Sequence, residues 1–193
     1  EGIARFASDL FVVGQPHMYC PRQNLKRVLA HVRQEGYAFN VGIEPEHYLV
    51  TKAQDGSIAV WDPHGQDDLR YPCYDFKGTA GAIDYLRNMM DAMGKMGWGP
   101  YQSDHEDGNG QYEINFGYSD ALTTADRYTF FKMMSSQYAQ KIGAIATHMA
   151  QPFTNRVGSG GHIHYHLADA NDGTNLFLDE QDPRGLGLSR LAY

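Results

Sequence analysis

The turn Gly158-Ser159-Gly160-Gly161 runs straight into His162-Ile163-His164-Tyr165-His166, which places an imidazole at every second residue. Alternate residues of a strand share a face. The spacing therefore predicts a strand with His162, His164 and His166 on one side and Ile163, Tyr165 and Leu167 buried on the other. Such a row can serve a metal ion or a phosphate. Two further segments repeat the design. In Phe39 to Leu49 the apolar residues Phe39, Val41, Ile43 and Leu49 alternate, which leaves Gly42, Glu44 and Glu46 together on the opposite face. In Gly110 to Tyr118 the residues Tyr112, Ile114, Phe116 and Tyr118 alternate, so Gln111, Glu113 and Asn115 point the other way. If the three strands share a sheet, Glu44, Glu46, Glu113 and His162 form one wall, with Glu106 close by on the acidic loop His105 to Asn109. Carboxylates crowded in this way resist ionising together unless cations sit among them.

The chemistry of that wall has two readings. His-x-His on a strand is how some zinc sites present two imidazoles, as in hydrolases and cupin-like proteins. The candidate ligands here are mostly carboxylates, however, and hard oxygen ligands suit Mg2+ or Mn2+. Each Glu pair taken alone also fits a solvated strand face. The concurrence of three rows favours metal.

In order and separation, Glu44-Pro45-Glu46, the run Glu106 to Glu113, and Gly158-Ser-Gly-Gly-His-Ile-His164 resemble the metal and nucleotide motifs of the glutamine synthetases. The wording of Pro72 to Gly78, Asp104 to Gln111, Pro152 to Arg156 and Asp182 to Ser189 is similar to the branch that holds the type III enzymes and the γ-glutamylmethylamide synthetases. The resemblance extends over nearly the whole chain. It implies an α+β fold, with a curved, mainly antiparallel sheet and flanking helices. It also implies an ATP-dependent ligase that joins the γ-carboxylate of L-glutamate to ammonia or a small amine through a γ-glutamyl phosphate. By position, Glu46, Glu106 and Glu113 match the ligands of the metal nearer glutamate, and Glu44 and His162 those of the metal on the phosphates. Glu113, Val157 and Gly158 fall at glutamate-binding positions, His164 and His166 at nucleotide-binding ones. No catalytic residue is implied beyond the metal ligands. ATP with Mg2+ or Mn2+ would be the cofactors, and a homo-oligomeric ring, a dodecamer in the family pattern, the assembly. Residues 1–15 resemble the end of an N-terminal β-grasp domain and 16–193 part of the catalytic domain. Residues 2–10 look like that first domain's last strand, and 185–193 like the start of a helix. The chain thus reads as an internal fragment, with the family's phosphate-binding arginines and last metal carboxylate beyond Tyr193.

Three departures stand in one motif. Gln151 replaces a lysine ahead of the proline, Val157 a small or polar residue, and His166 a serine. They point either to altered substrate or nucleotide handling or to a non-catalytic relative that keeps the fold.

Composition narrows the classes. A chain of 193 residues with 42% hydrophobic residues can bury a proper core. A net charge of −7 argues against nucleic acid as a partner. No stretch is apolar enough to span a bilayer and no secretion signal is visible, so cytoplasm is the expected compartment and no membrane partner is expected. Cys20 and Cys73, far apart and outside any Cys-x-x-Cys pattern, read as reduced thiols.

The elements that must position the wall follow from periodicity. Pro21 opens an amphipathic helix over 21–35, with Leu25, Val28, Leu29 and Val32 as its stripe and Gly36 as the stop. Gln54 to Ser57 predicts a hairpin turn with 58–61 as the return strand, and residues 63–72 read as polar loop. A second helix is expected over 79–96 through Ile83, Leu86, Met90 and Met93. A third is expected from Thr123 or Thr124 to about 142, with Ala125, Tyr128, Phe131, Met134 and Tyr138 buried. The remaining histidines, His17, His31, His47, His64 and His148, show no informative spacing and read as structural or surface residues.

Overall fold

The structure is a computed structural model that describes residues 4–193. Its elements are β1 (Phe11–Val12), β2 (Gln15–Pro16), α1 (Pro21–Gln34), β3 (Tyr37–Lys52), β4 (Ile58–Val60), α2 (Phe76–Gly81), α3 (Ile83–Lys95), β5 (Pro100–His105), β6 (Gln111–Phe116), β7 (Ser119–Asp120), α4 (Ala121–Lys141), β8 (Ile145–Thr147) and β9 (Gly161–Asp169). This is the α+β class expected. Contacts divide the chain into two compact units: residues up to 41 with 118–127 and 164–193, and residues 42–117 with 128–163.

The long strand β3 is the organiser. It pairs antiparallel with β4, β6, β7 and β8, and it also pairs with β9. β6 lies between β3 and β5, and all six of its residues are buried. Both of its faces are therefore covered, so Gln111, Glu113 and Asn115 form a buried polar row rather than the rim of an edge strand. Opposite that row, Tyr112, Ile114 and Phe116 join Leu49, Tyr85, Leu86, Met89, Met93 and Phe131 in one core. Met89 and Met93 are fully buried. Each such side chain contributes roughly 1.5–3 kcal/mol relative to exposure.

Several expectations need correction. The helix expected over 79–96 is two helices broken at Ala82 (φ −104°, ψ 9°), and it starts earlier because Asp75 caps α2 by accepting from the backbone N–H groups of Lys77 and Gly78. The third helix begins at Ala121. Asp120 accepts from Thr123 N at its start, whereas the Thr124 hydroxyl donates to Val41 O and Ala125 is exposed. Helix α1 has no buried residue, and Val28 is exposed. Leu25, Leu29 and Val32 of its stripe are half-buried, and ion pairs add to them: Arg22 meets Asp9 and Asp126, and Lys26 meets Asp9.

The strand expected over 2–10 lies partly outside the described residues, and 4–10 carry no regular structure. No helix starts at 185–193. There the Asp182 carboxylate gathers the N–H groups of Arg184, Leu186 and Leu188 and the Tyr193 hydroxyl, which folds the segment into turns. The apolar face of the histidine strand is also open, with Ile163 and Tyr165 both 61% exposed. The Tyr165 ring nonetheless packs against Phe39 of β3 at 5.7 Å and against Phe177 at 6.2 Å.

Candidate metal centre

Strand register assembles the site. Glu46 on β3 stands directly opposite Glu113 on β6, and Glu113 stands opposite Asp104 on β5. Directly paired residues project to the same face with Cβ atoms about 4.5–5.5 Å apart, so three carboxylates form a row across three strands. Glu44, two residues before Glu46, extends the row. The ligating atoms of Glu44, Glu113 and His162 all lie within 4.8 Å of one another, and His162 Nδ1 is 3.6 Å from Glu44 Oε2. One imidazole and two carboxylates is an oxygen-dominated donor set. That composition suits Mg2+ or Mn2+ better than zinc, whose His-x-His reading asks for two nitrogens.

The electrostatics agree with the crowding. Burial, followed by the neighbouring Glu113 and Glu46 carboxylates, pushes the Glu106 carboxyl up to about 7. Burial also raises Glu113, with Glu44 and Glu46 adding to the shift and a 2.8 Å hydrogen bond from Asn115 Nδ2 opposing it. Like charges held this close at buried and half-buried positions are relieved by a cation between them. The residues thus fit a divalent ion.

The loops are tied to this row through Gln111. Its Nε2 donates to Glu46 Oε2 (2.8 Å) and to Gly158 O (3.0 Å), while its Oε1 accepts from Gly108 N (3.0 Å). Gly160 N donates to the same Glu46 oxygen at 2.8 Å. A Cβ at Gly160 would stand 2.6 Å from Glu46 Oε1, so any side chain there would push the carboxylate from its place. The Val157 carbonyl accepts from the Tyr48 hydroxyl at 2.8 Å, and the residue is 41% exposed. Gln151 Nε2 donates to Arg156 O at 3.1 Å, within the same loop.

The expected residues therefore separate. Glu44, Glu113 and His162 converge; Glu46 stands beside Glu113 in the strand register, and Glu106 feels both. His164 and His166 belong to the other unit. His164 is exposed there, and His166 Nε2 lies 3.1 Å from Asn40 Nδ2 with its ring edge-on to Tyr118.

Sequence reasoning missed four participants: Asp104, Gln111 as a junction, Asp67 and His105. Asp104 shares Glu113's register and was within reach of period-two reasoning once β5 was recognised. Asp67 and His105 meet at 2.8 Å across 38 positions, which no local pattern announces. Of the two alternatives expected for His47 and His148, structural or surface, the structural one holds. Their rings stack 5.4 Å apart, with His47 Nε2 2.7 Å from the Tyr85 hydroxyl and His148 Nε2 2.9 Å from Ser135 Oγ. Burial pushes His47 down to about 3 and His148 to about 4, so both are neutral near pH 7.

The model of the glutamine synthetase catalytic domain matches residues 18–193. The glutamate–methylamine ligase of Methyloversatilis universalis is 43% identical over 192 residues, which is 100% of this chain and 42% of that protein. A glutamine synthetase of Rhizobium leguminosarum is 39% identical over 186 residues, covering 96% of this chain and 42% of that protein. A solved GmaS–ADP complex superposes with a TM-score of 0.87 at 40% identity, covering 96% of this chain and 41% of that one. The chain thus spans about two-fifths of the length of the relatives it matches. With its carboxylate row and histidine in place and its family model matched from residue 18 onward, this chain belongs to the glutamine synthetase catalytic-domain family.

Proposed function

We propose that the chain forms part of the catalytic unit of an ATP-dependent ligase that joins the γ-carboxylate of L-glutamate to ammonia or a small amine. The observation that carries this is the convergence of Glu44, Glu113 and His162 on a strand-held carboxylate row. The 43% identity to a glutamate–methylamine ligase supports the amine branch. In the first step a γ-carboxylate oxygen attacks the γ-phosphorus of ATP and ADP leaves, giving an acyl phosphate. In the second, the amine nitrogen attacks the acyl carbon, phosphate leaves with its oxygen, and the nitrogen sheds a proton. The obstacle in the first step is bringing two anions together.

Glu46, Glu106 and Glu113 would hold one Mg2+ or Mn2+ ion and Glu44 with His162 a second, which would supply charge neutralisation of the phosphate oxygens. The protein's own part is orientation. Asn115 fixes one Glu113 oxygen, while Gln111 and Gly160 fix one of Glu46, so the carboxylates keep their places before any ligand arrives. The Val157–Gly158 turn is the proposed glutamate contact, and His164 and His166 the nucleotide contacts. Residues 1–15 would close an N-terminal β-grasp domain and 16–193 would belong to the catalytic domain. We further propose a cytoplasmic ring-like homo-oligomer. The exposed apolar residues Phe11, Val12 and Val13 support a covered surface in the assembly. No described helix is long and apolar enough to cross a membrane.

The test is phosphate release from ATP by the full-length protein with glutamate, Mg2+ or Mn2+, and a panel of ammonia, alkylamines and arylamines. Turnover with at least one amine is expected. Silence across the panel from a metal-loaded oligomer would favour a non-catalytic relative in which Gln151, Val157 and His166 mark lost function.

A further inference from the structure

Residues 63–72 are polar and without helix or strand, yet Asp67 within them is buried, with only 4% of its side chain exposed. Its Oδ2 accepts from His105 Nε2 at 2.8 Å and from Gly110 N, and its Oδ1 accepts from Asn109 Nδ2 at 2.9 Å. All three donors come from residues 105–110, the hairpin between β5 and β6 that carries Glu106. The His105 ring continues the chain of contacts, because its Nδ1 lies 2.8 Å from Glu106 O. Both ring nitrogens face oxygen atoms. The ring thus spans from a buried carboxylate to the carbonyl of Glu106 itself.

The ring is fully buried and closely packed. A Cβ at Gly78 would come within 2.5 Å of His105 Cδ2, and the ring stands edge-on to Tyr112 at 5.1 Å. Asn109 passes the constraint on, since its Oδ1 accepts from Arg156 Nη1, one residue before Val157. Burying a carboxylate is costly unless every lone pair is used, and an apolar side chain would fill the same space more cheaply. What the carboxylate adds is direction: three donors converge on it and fix where the hairpin backbone lies.

We propose that Asp67 is a positioning residue for the metal centre, acting through His105, Asn109 and Gly110 on the main chain from which Glu106 projects. The inference rests on the metal reading above and extends it to a residue that touches neither metal nor substrate. Outer contacts of this kind typically govern ligand orientation, and their loss costs about 10–100-fold in metal affinity.

The experiment titrates Mn2+ into the full-length protein, with free ion followed by electron paramagnetic resonance, for wild type, Asp67→Asn and Met89→Ala. Asp67→Asn keeps the shape but turns one acceptor into a donor that faces the hairpin's donors. It is expected to weaken Mn2+ binding by about 10–100-fold. Met89→Ala, a core cavity away from the hairpin, should lower the melting temperature while leaving Mn2+ affinity within about twofold of wild type. If Asp67→Asn fails to fold, Asn109→Ala leaves Asp67 in place, removes the amide that donates to Asp67 and Leu69 O and accepts from Arg156, and should still weaken Mn2+ binding severalfold. Wild-type affinity in a folded Asp67→Asn, or in Asn109→Ala where that is the variant measured, overturns the inference alone. Absence of Mn2+ binding by the wild type overturns the metal reading and this inference with it.

Discussion

Glu106→Gln should act in opposite directions on the metal-free and the metal-bound protein. In the folded chain, burial and the neighbouring carboxylates raise Glu106 from 4.5 to about 7. A carboxyl whose folded value lies above its unfolded value binds protons more tightly when folded, so it destabilises the fold at every pH above about 7. The penalty fades as pH falls from 7 towards 4.5, where the group is neutral in both states. A rise of that size corresponds to a ceiling of about 3.4 kcal/mol at 1.36 kcal/mol per unit. Solvent screening at a half-buried site reduces this to about 1.5–2 kcal/mol.

Glutamine keeps the shape without the charge. At pH 8 with chelator present, the variant should therefore melt a few degrees above wild type, given about 2–4 °C per kcal/mol in chains of 150–250 residues. At pH 5 the two should nearly coincide. With Mn2+ present the order should reverse, since the variant loses a ligand. The assay is differential scanning fluorimetry across pH 5–8, with and without metal. Equal or lower melting of the variant at pH 8 in chelator would show that Glu106 is not under carboxylate repulsion and would refute the argument.

Glu113→Gln should abolish ligation and at least one Mn2+ equivalent while circular dichroism stays unchanged; a normal rate in the variant would sink the assignment. Gly160→Ala forces a methyl to within 2.6 Å of Glu46 Oε1, and turnover should fall at least tenfold with little change in melting temperature. His148, held neutral by burial down to about 4, binds fewer protons folded than unfolded. Its contribution should therefore be lost as pH falls from 6.5 towards 4, by at most about 3.4 kcal/mol. His148→Gln should flatten that part of the stability curve, and an unchanged difference between pH 6.5 and pH 4 would count against a buried neutral ring. This slope runs against that of Glu106, so each is read from the difference between variant and wild type.

Much of the site was legible because strand periodicity is local. The alternation in 39–49 and 111–116 placed Glu44, Glu46 and Glu113 on common faces, and the 54–57 turn placed β4 against β3. Failures came where distant contacts decide. Gly81 ends α2 beside the break at Ala82, but one glycine inside an otherwise periodic stretch is a weak signal on its own. Periodicity gave the histidine strand two faces but could not say whether anything packs on Ile163 and Tyr165. Segment 63–72 looked solvated because its composition is polar, yet Asp67 is drawn inward by donors some 40 positions away. His47 and His148 looked ordinary for the same reason: their partnership spans about a hundred residues.

The hydrogen bonds on Glu46 bear on how an ion would be held. Its Oε2 already accepts two, from Gln111 Nε2 and Gly160 N, both at 2.8 Å. That oxygen is occupied, and Oε1 is the one left to offer. Glu46 would then serve as a monodentate ligand, unable to chelate with both oxygens. Large, loosely coordinated ions such as Ca2+ gain from two-oxygen carboxylates and seven or eight contacts, whereas Mg2+ takes single oxygens in a tight octahedron. A glutamine and a glycine amide that never touch the ion would thereby tilt the site toward small cations, through the denticity they leave to a neighbour.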